Sequence, residues 1–84
     1  MKVTITPEAL AQVVELPRAM LPRVEAIIER LESWPQVSGV KWLTEDWKGF
    51  ARIRTGDYRV IFTLVDDHEV RVVRIAHRRD AYAD

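Results

Sequence analysis

The sequence has no cysteine among its 84 residues, which excludes disulfide bonds and thiolate metal sites. It has no apolar run near the roughly 18 residues that a membrane helix requires, and its opening lacks the apolar core of a signal peptide. We therefore expect a cytoplasmic protein that does not enter a membrane. A chain of this length is expected to form one domain over residues 1–84.

The sequence also lacks a net charge, because 13 basic residues balance 13 acidic ones. Dedicated nucleic-acid binders are usually basic, so this balance argues against that class. The distribution is uneven, however. The acids concentrate in the helical half, whereas residues 48–59 and 71–79 are rich in arginine and lysine and nearly free of acids. A local basic patch can attract an anion even on a neutral protein.

The N-terminal half is predicted to contain a short strand and two helices. Residues 2–6 alternate like a half-buried strand. Thr6 and Pro7 predict a helix start, because a hydroxyl can cap the first amides and proline suits the first helical position. This helix should run to about Leu16, where Pro17 stops it. Its predicted core face consists of Leu10, Val13 and Val14.

A second helix is predicted to begin between Arg18 and Pro22 and to end near Ser33. Its apolar residues recur at helical spacing and form one stripe, which consists of Val24, Ile27, Ile28 and Leu31. Residues 36–46 are predicted to form a loop.

Three strand-like runs follow, separated by short turn-rich segments at residues 55–57 and 66–68. The order predicts an α+β fold with a four-stranded sheet, made of the N-terminal strand and a three-stranded antiparallel meander. The two helices should form an αα-hairpin on one face of this sheet.

Arginine side chains occur within these apolar strand patterns. A guanidinium stays charged at any physiological pH, so it must be paired, solvated or turned toward an anion. Alternation predicts that Arg52, Arg54 and Arg59 face away from the core, where they would suit a phosphate. Pairing with acids across strands is the alternative for Arg52 and Arg54. Strict alternation also predicts that Arg71 and Arg74 lie on opposite faces, as solvated strand residues.

The segment WKGFARIRTGDYRVIF at residues 47–62 and the ending HRRDAY at residues 77–82 closely resemble the RelE/ParE superfamily of bacterial toxins. The opening Thr6-Pro7-Glu8-Ala9 and the Leu16-Pro17 step are also similar. The resemblance implies the toxin of a type II toxin–antitoxin system. RelE-type members are metal-independent endoribonucleases that cut mRNA on the ribosome, whereas ParE-type members inhibit DNA gyrase.

The resemblance also implies a set of functional residues for the RelE-type activity. By position, the catalytic set consists of Arg52, Arg59, Arg78 and Tyr82. His77 and Arg79 are further candidates for acid–base work or phosphate contact, since imidazole titrates near neutrality. Lys48 and Arg54 are expected to contact RNA. No cofactor is expected, and no group of His, Asp and Glu has the spacing of a metal site.

Two departures from the RelE pattern bear on activity. Phe50 stands where the resemblance implies a second lysine, and Ala76 stands where a glycine usually precedes the basic tail. The alternatives are therefore a ParE-like gyrase inhibitor and a catalytically degenerate member that only binds an antitoxin. The expected partners are mRNA on the ribosome and a cognate antitoxin, whose acidic helix or strand covers the basic face, with a higher-order toxin–antitoxin assembly as an extension. Trp42 and Trp47 are expected to cover one end of the sheet, with base stacking as the alternative.

Overall fold

A computed structural model describes residues 1–82 and shows an α+β fold, which confirms the predicted class. The strands and helices are, in chain order, β1 (Lys2–Ile5), α1 (Pro7–Val14), α2 (Leu21–Leu31), β2 (Lys41–Trp42), β3 (Phe50–Thr55), β4 (Tyr58–Asp66) and β5 (Glu69–His77). Two short 3₁₀ turns, Arg18–Met20 and Glu45–Trp47, precede α2 and β3.

Helix α1 begins where its capping residues predict. The Thr6 hydroxyl accepts a hydrogen bond from the Ala9 amide at 3.1 Å, and Pro7 occupies the first turn. The prediction for its core face was right for Val13, which packs against the core, and wrong for Leu10 and Val14, which are exposed, Val14 by 79%. The reason is that α1 lies along β5, where the Gln12 Oε1 accepts a hydrogen bond from the Ile75 amide at 2.7 Å. This contact turns the face of Ala9 and Val13 toward the core.

Helix α2 supplies the helical side of the core. It begins at Leu21, so Pro22 lies in its first turn, where a missing amide hydrogen breaks no helical bond. Its stripe packs as predicted, with Val24, Ile27 and Leu31 buried and Ile28 partly buried against them.

The sheet has five strands in the described residues, in the order β1-β5-β4-β3-β2, so the predicted four-stranded sheet was wrong. The additional strand is β2, two residues from the segment predicted as a loop, which pairs antiparallel with β3. It escapes prediction because two residues are too few to show a period. The predicted antiparallel meander of β3, β4 and β5 is present, and β1 lies parallel to β5 at the opposite edge.

A β-bulge interrupts the alternation of β5. Ile61 pairs with Arg74, but its neighbour Phe62 pairs with Val72, so Val73 is an extra residue in β5. Because residues paired across strands point to the same face, Arg71 and Arg74 both lie on the face opposite the helices. The prediction that these two arginines lie on opposite faces was therefore wrong.

The core lies between the helices and one face of the sheet. Its strand residues are Ala51, Ile53, Val60, Phe62, Val70, Val72 and Ile75. The other face carries three rows of paired residues, Phe50–Thr63–Arg71, Arg52–Ile61–Arg74 and Arg54–Arg59–Ala76. We call it the basic face. Within residues 1–82, neither helix is long and apolar enough to cross a membrane.

Candidate functional site

The turn between β3 and β4 fixes the position of Arg59. Gly56 has a φ of +57° in a two-residue turn, a conformation that glycine adopts readily. The turn carries a carbonyl back toward the strand, and Arg59 Nη1 donates to the carbonyl oxygens of Gly56 and Tyr58, both at 3.2 Å. One end of the guanidinium is thus anchored to backbone. Its Nε and Nη2 donors have no hydrogen-bond partner within residues 1–82.

Arg54 and Arg59 are directly opposite each other on neighbouring strands, and both belong to the basic face. Like charges in this arrangement destabilise a sheet. In the described part of the chain, no carboxylate lies within ion-pair distance of Arg52, Arg54 or Arg59. The alternative that acids pair with Arg52 and Arg54 across strands therefore has no support in residues 1–82.

A cavity of about 360 Å³ opens beside these arginines. This volume falls in the range of about 300–1,000 Å³ that is common for ligand sites. Three of the four residues predicted as catalytic contribute to its wall, namely Arg52, Arg59 and Tyr82. The rest of the wall consists of Lys41, Trp42, Leu43, Thr44 and Trp47. The cavity thus combines cationic groups, a phenol and two indole rings.

Aromatic contacts hold the side of the cavity that includes Tyr82. The Trp47 ring meets the Phe50 ring edge to face, with centroids 5.4 Å apart, and it meets the Tyr82 ring with centroids 6.3 Å apart. Tyr82 itself is 41% exposed. Phe50 therefore supports Trp47 at the position where a lysine was implied by the resemblance.

Arg78 and His77 lie at the end of β5 and do not line this cavity. The Asp57 carboxylate lies 3.9 Å from Arg78 Nε and 4.0 Å from His77 Nε2, and the Asp57 carbonyl accepts a hydrogen bond from the Arg78 amide at 2.7 Å. His77 also lines a second depression, of about 260 Å³, on the side of α1. Arg79 and Lys48 are exposed, as is Arg54, and none of them lines the first cavity.

The sequence patterns missed the wall that β2 provides. Lys41 and Thr44 belong to a segment without periodicity, so nothing linked them to the arginines of β3 and β4. The local signal in the sequence was the Ser38-Gly39 pair, which is typical of a turn. The chain bends there, with a φ of +81° at Gly39, just before Lys41 and Trp42. Trp42 is 50% exposed at the cavity wall, while Trp47 is half-buried.

The acid–base groups of the described residues offer no metal site, since no three His, Asp or Glu side chains come together within residues 1–82. A carboxylate with a shifted pKa occurs outside the cavity. The hydrogen bond from the Thr4 hydroxyl, at 2.7 Å, holds the pKa of Glu69 below its ordinary value, and Arg71 adds to this effect. This cluster stabilises the β1–β5 edge rather than the cavity.

Comparison with solved structures identifies the fold. The toxin–antitoxin complex RelBE2 from Mycobacterium tuberculosis matches with a TM-score of 0.77 and 27% identity, over 92% of this chain and 96% of that one. The RelB–RelE antitoxin–toxin complex from Methanococcus jannaschii matches with a TM-score of 0.75 and 19% identity, over 95% of both chains. The isolated Escherichia coli RelE toxin matches with a TM-score of 0.73 and 14% identity, over 90% of this chain and 82% of that one.

Comparison of the sequence identifies the family. No curated protein gives a significant match. The profile of a family described as "ParE toxin of type II toxin-antitoxin system, parDE" matches residues 3–82, which is nearly the whole chain. This match and the shared fold confirm the resemblance that the arginine-rich strands and the HRRDAY ending indicated. The chain belongs to the ParE toxin family of type II toxin–antitoxin systems, within the RelE/ParE superfamily.

Proposed function

We propose that this toxin is a RelE-type endoribonuclease that cleaves mRNA on the ribosome without a metal ion or other cofactor. The observation that carries the proposal is the convergence of Arg52, Arg59 and Tyr82 on one cavity. Within residues 1–82 neither arginine has a carboxylate partner, so both charges are available to an anion. A phosphodiester is an anion of suitable size and charge for such a site.

The reaction is an internal transesterification, in which the phosphorus atom exchanges its bond to the 5'-oxygen for a bond to the 2'-oxygen of the RNA. The 2'-hydroxyl oxygen bonds to the adjacent phosphorus, and the bond from phosphorus to the 5'-oxygen breaks. A base takes the proton of the 2'-hydroxyl, and an acid gives a proton to the 5'-oxygen. The products are a 2',3'-cyclic phosphate and a 5'-hydroxyl. No oxidant, reductant or water is consumed.

The arginines stabilise the charge that develops on the phosphorane. The free Nε and Nη2 donors of Arg59 can bind two non-bridging oxygens at once, while Nη1 remains on the turn carbonyls. Because that anchoring exists before the substrate arrives, little orientation has to be gained during the reaction. Arg52 adds a second cation from the neighbouring strand, and Tyr82 supplies the hydroxyl for proton transfer.

Other basic residues bind the flanking RNA backbone in this proposal. Arg78 is paired with Asp57 only at 3.9 Å, and both side chains are well exposed. Such exposed pairs contribute little, so Arg78 can exchange the carboxylate for a phosphate at small cost. Lys48, Arg54 and Arg79 are exposed and serve the same purpose. His77 lies beside Arg78 and, like it, does not line the cavity, so we assign it no part in the reaction itself.

The proposed partners are the mRNA on cytoplasmic ribosomes and a cognate antitoxin. Two of the structural relatives are complexes of a toxin with its antitoxin. Arg52, Arg54 and Arg59 have no carboxylate partner within residues 1–82, which favours an antitoxin segment, helix or strand, that carries acids over this surface. Assembly into larger toxin–antitoxin complexes is part of the same proposal.

Inhibition of DNA gyrase by binding is the second candidate. The family profile is described as a ParE toxin, and Phe50 replaces a lysine that the RelE resemblance implies. In this reading the aromatic wall of Phe50, Trp47 and Trp42 is a protein-binding surface, where tryptophan is enriched.

Induced expression with mapping of mRNA 5' ends distinguishes the two candidates. We expect the unmodified toxin to produce ribosome-dependent cuts, and Arg59→Ala and Tyr82→Phe to abolish them. Arg71→Ala is the matched control, because Arg71 lies on the same face but pairs with Glu69 outside the cavity. Growth arrest with intact mRNA and a DNA-damage response contradicts the ribonuclease and supports gyrase inhibition. Harmless expression of a folded protein contradicts both.

A further inference from the structure

Arg74 makes contacts that none of the roles above explains. It lies on the basic face, yet its side chain is only 18% exposed, against 45% for Arg71 on the same strand. Its guanidinium carbon lies 5.0 Å from the centroid of the Trp47 ring, within the distance of a cation–π contact. Arg74 does not line the cavity.

The polar contacts of Arg74 join two distant parts of the chain. Nη1 donates a hydrogen bond to the Ala81 carbonyl at 3.2 Å, and Nη2 lies 3.8 Å from the Glu8 carboxylate of α1. The Glu8 carboxylate offsets part of the charge of Arg74, whereas no carboxylate within residues 1–82 does so for Arg52 or Arg59. Arg74 is therefore less suited to bind a phosphate than to hold structure.

Two of these contacts of Arg74, those with Ala81 and Trp47, lead to Tyr82. Ala81 precedes Tyr82 in the chain and is fully buried, while Trp47 is the ring that Tyr82 touches. The start of the turn at residues 78–82 is fixed by backbone bonds from the Arg78 amide to Asp57 and from the Asp80 amide to His77. The far end of this turn, next to Tyr82, receives its hydrogen bond from Arg74. This hydrogen bond and the contact with Trp47 therefore fix the backbone and the ring next to Tyr82.

We propose that Arg74 is a positioning residue for Tyr82: by stacking on Trp47 and binding the Ala81 carbonyl, it holds the phenol at the cavity wall. The bulge at Val73 makes this geometry available, because it turns Arg74 onto the basic face. The part of this inference that concerns catalysis rests on the proposed ribonuclease activity. The part that concerns the placement of Tyr82 stands on the contacts alone.

Fluorine NMR tests the placement without any assay of activity. The chain has two tyrosines, so protein labelled with 3-fluorotyrosine gives two resonances, and Tyr82→Phe identifies them. In the unmodified protein the Tyr82 resonance should be displaced from the free amino-acid position by the ring of Trp47. In Arg74→Met it should return toward that position and sharpen. Tyr58, which touches His77 and not Trp47, should stay unchanged and so report that the protein is folded.

The matched control is Arg71→Met, which removes an arginine from the same strand and face and should move neither resonance. An unchanged Tyr82 resonance in Arg74→Met overturns the proposal. If Arg74→Met fails to fold, Arg74→Lys, which retains a cation near Glu8 and a donor for Ala81, should leave the Tyr82 resonance near its unmodified position. A Tyr82 resonance at the free position in the unmodified protein also overturns the proposal.

Kinetics test the catalytic part and separate it from the proposed function. Arg74→Met should lower kcat of RNA cleavage about ten- to hundredfold, since a misplacement near 1 Å can cost about a hundredfold. Its KM should stay within about twofold, because Arg52 and Arg59 still bind the phosphate. Suppose that the unmodified toxin cuts RNA and that Arg74→Met cuts it equally fast, although the Tyr82 resonance of Arg74→Met has moved to the free position. The part of the proposal that concerns catalysis is then wrong. If the unmodified toxin cuts no RNA, the ribonuclease proposal fails, while the fluorine spectra still decide the placement.

Discussion

Replacing Arg54 by glutamate should stabilise the free toxin and weaken its function. Arg54 and Arg59 face each other across β3 and β4, and within residues 1–82 no carboxylate offsets either charge. Arg54→Glu converts this repulsion into an attraction, and the new carboxylate competes with phosphate for the free donors of Arg59. A site that binds an anion is expected to be less stable when the anion is absent.

The magnitude follows from the geometry. If the two guanidinium groups are taken to lie roughly 7 Å apart, their repulsion in water is about 0.6 kcal/mol. Reversing one charge changes the interaction by twice this amount, about 1.2 kcal/mol, and salt at 0.1 M halves it to about 0.6 kcal/mol. For a domain of this size the melting temperature should rise by about 2–5 °C. If the new carboxylate of Arg54→Glu competes with phosphate for Arg59 by the same amount of about 0.6 kcal/mol, the affinity for phosphate falls about threefold.

Urea denaturation of the unmodified protein, Arg54→Gln and Arg54→Glu measures this effect. Gln is the matched control, because it removes the charge without reversing it and should give about half the gain. The differences should shrink in 1 M salt, where the screening length falls to about 3 Å. The reasoning is wrong if Arg54→Glu is no more stable than Arg54→Gln at low salt, or if it cleaves RNA as efficiently as the unmodified toxin.

Two further predictions concern stability. Thr6→Ala removes the hydroxyl that accepts a hydrogen bond from the Ala9 amide, so it should lower the free energy of unfolding by about 1 kcal/mol. Urea titrations measure this change, with Thr55→Ala in strand β3 as the control. An unchanged urea midpoint in Thr6→Ala contradicts the role of the cap. Because its pKa is lowered in the folded state, Glu69 contributes stability that is complete above its ordinary pKa and is lost as the pH falls through the lowered value. Glu69→Gln should therefore be less stable than the unmodified protein near pH 7, and the difference should shrink on acidification; a difference that is independent of pH contradicts this linkage.

The order of the main elements could be predicted from the sequence because their signals are local. Thr6 and Pro7 mark the start of α1, and the spacing of Val24, Ile27 and Leu31 marks the buried stripe of α2. The edge strand β2 could not be predicted, because two residues show no period and their pairing with β3 depends on a tertiary contact. The exposed Leu10 and Val14 were placed in the core because apolar character alone does not fix how a helix is rotated. The contact between Gln12 and the Ile75 amide, remote in sequence, fixes that rotation.

The candidate site likewise combines residues that the sequence predicted with residues that it did not. Arg52 and Arg59 were predicted on the open face because alternation within β3 and β4 is regular there, and the structure brings both to one cavity with Tyr82. The grouping of Tyr82 with them followed from the family resemblance, since nothing in residues 78–82 indicates where the turn packs. Lys41 and Thr44 came to the same wall through β2 and had no signal in the sequence.

The bulge in β5 determines how Arg74 reaches the turn at residues 78–82. It occurs where β1 ends and α1 begins, since the Thr6 amide donates to the Val72 carbonyl at 3.0 Å and the Thr6 hydroxyl lies 3.4 Å from the Val73 carbonyl. Up to Val72, β5 pairs with β1; beyond the bulge, α1 lies along β5. Without the extra residue, Arg74 would share the face of Val72 and lie in the core, where burial of a charged group is costly. The bulge therefore lets β5 carry an arginine at position 74 on the basic face, where it contacts Trp47 and Ala81.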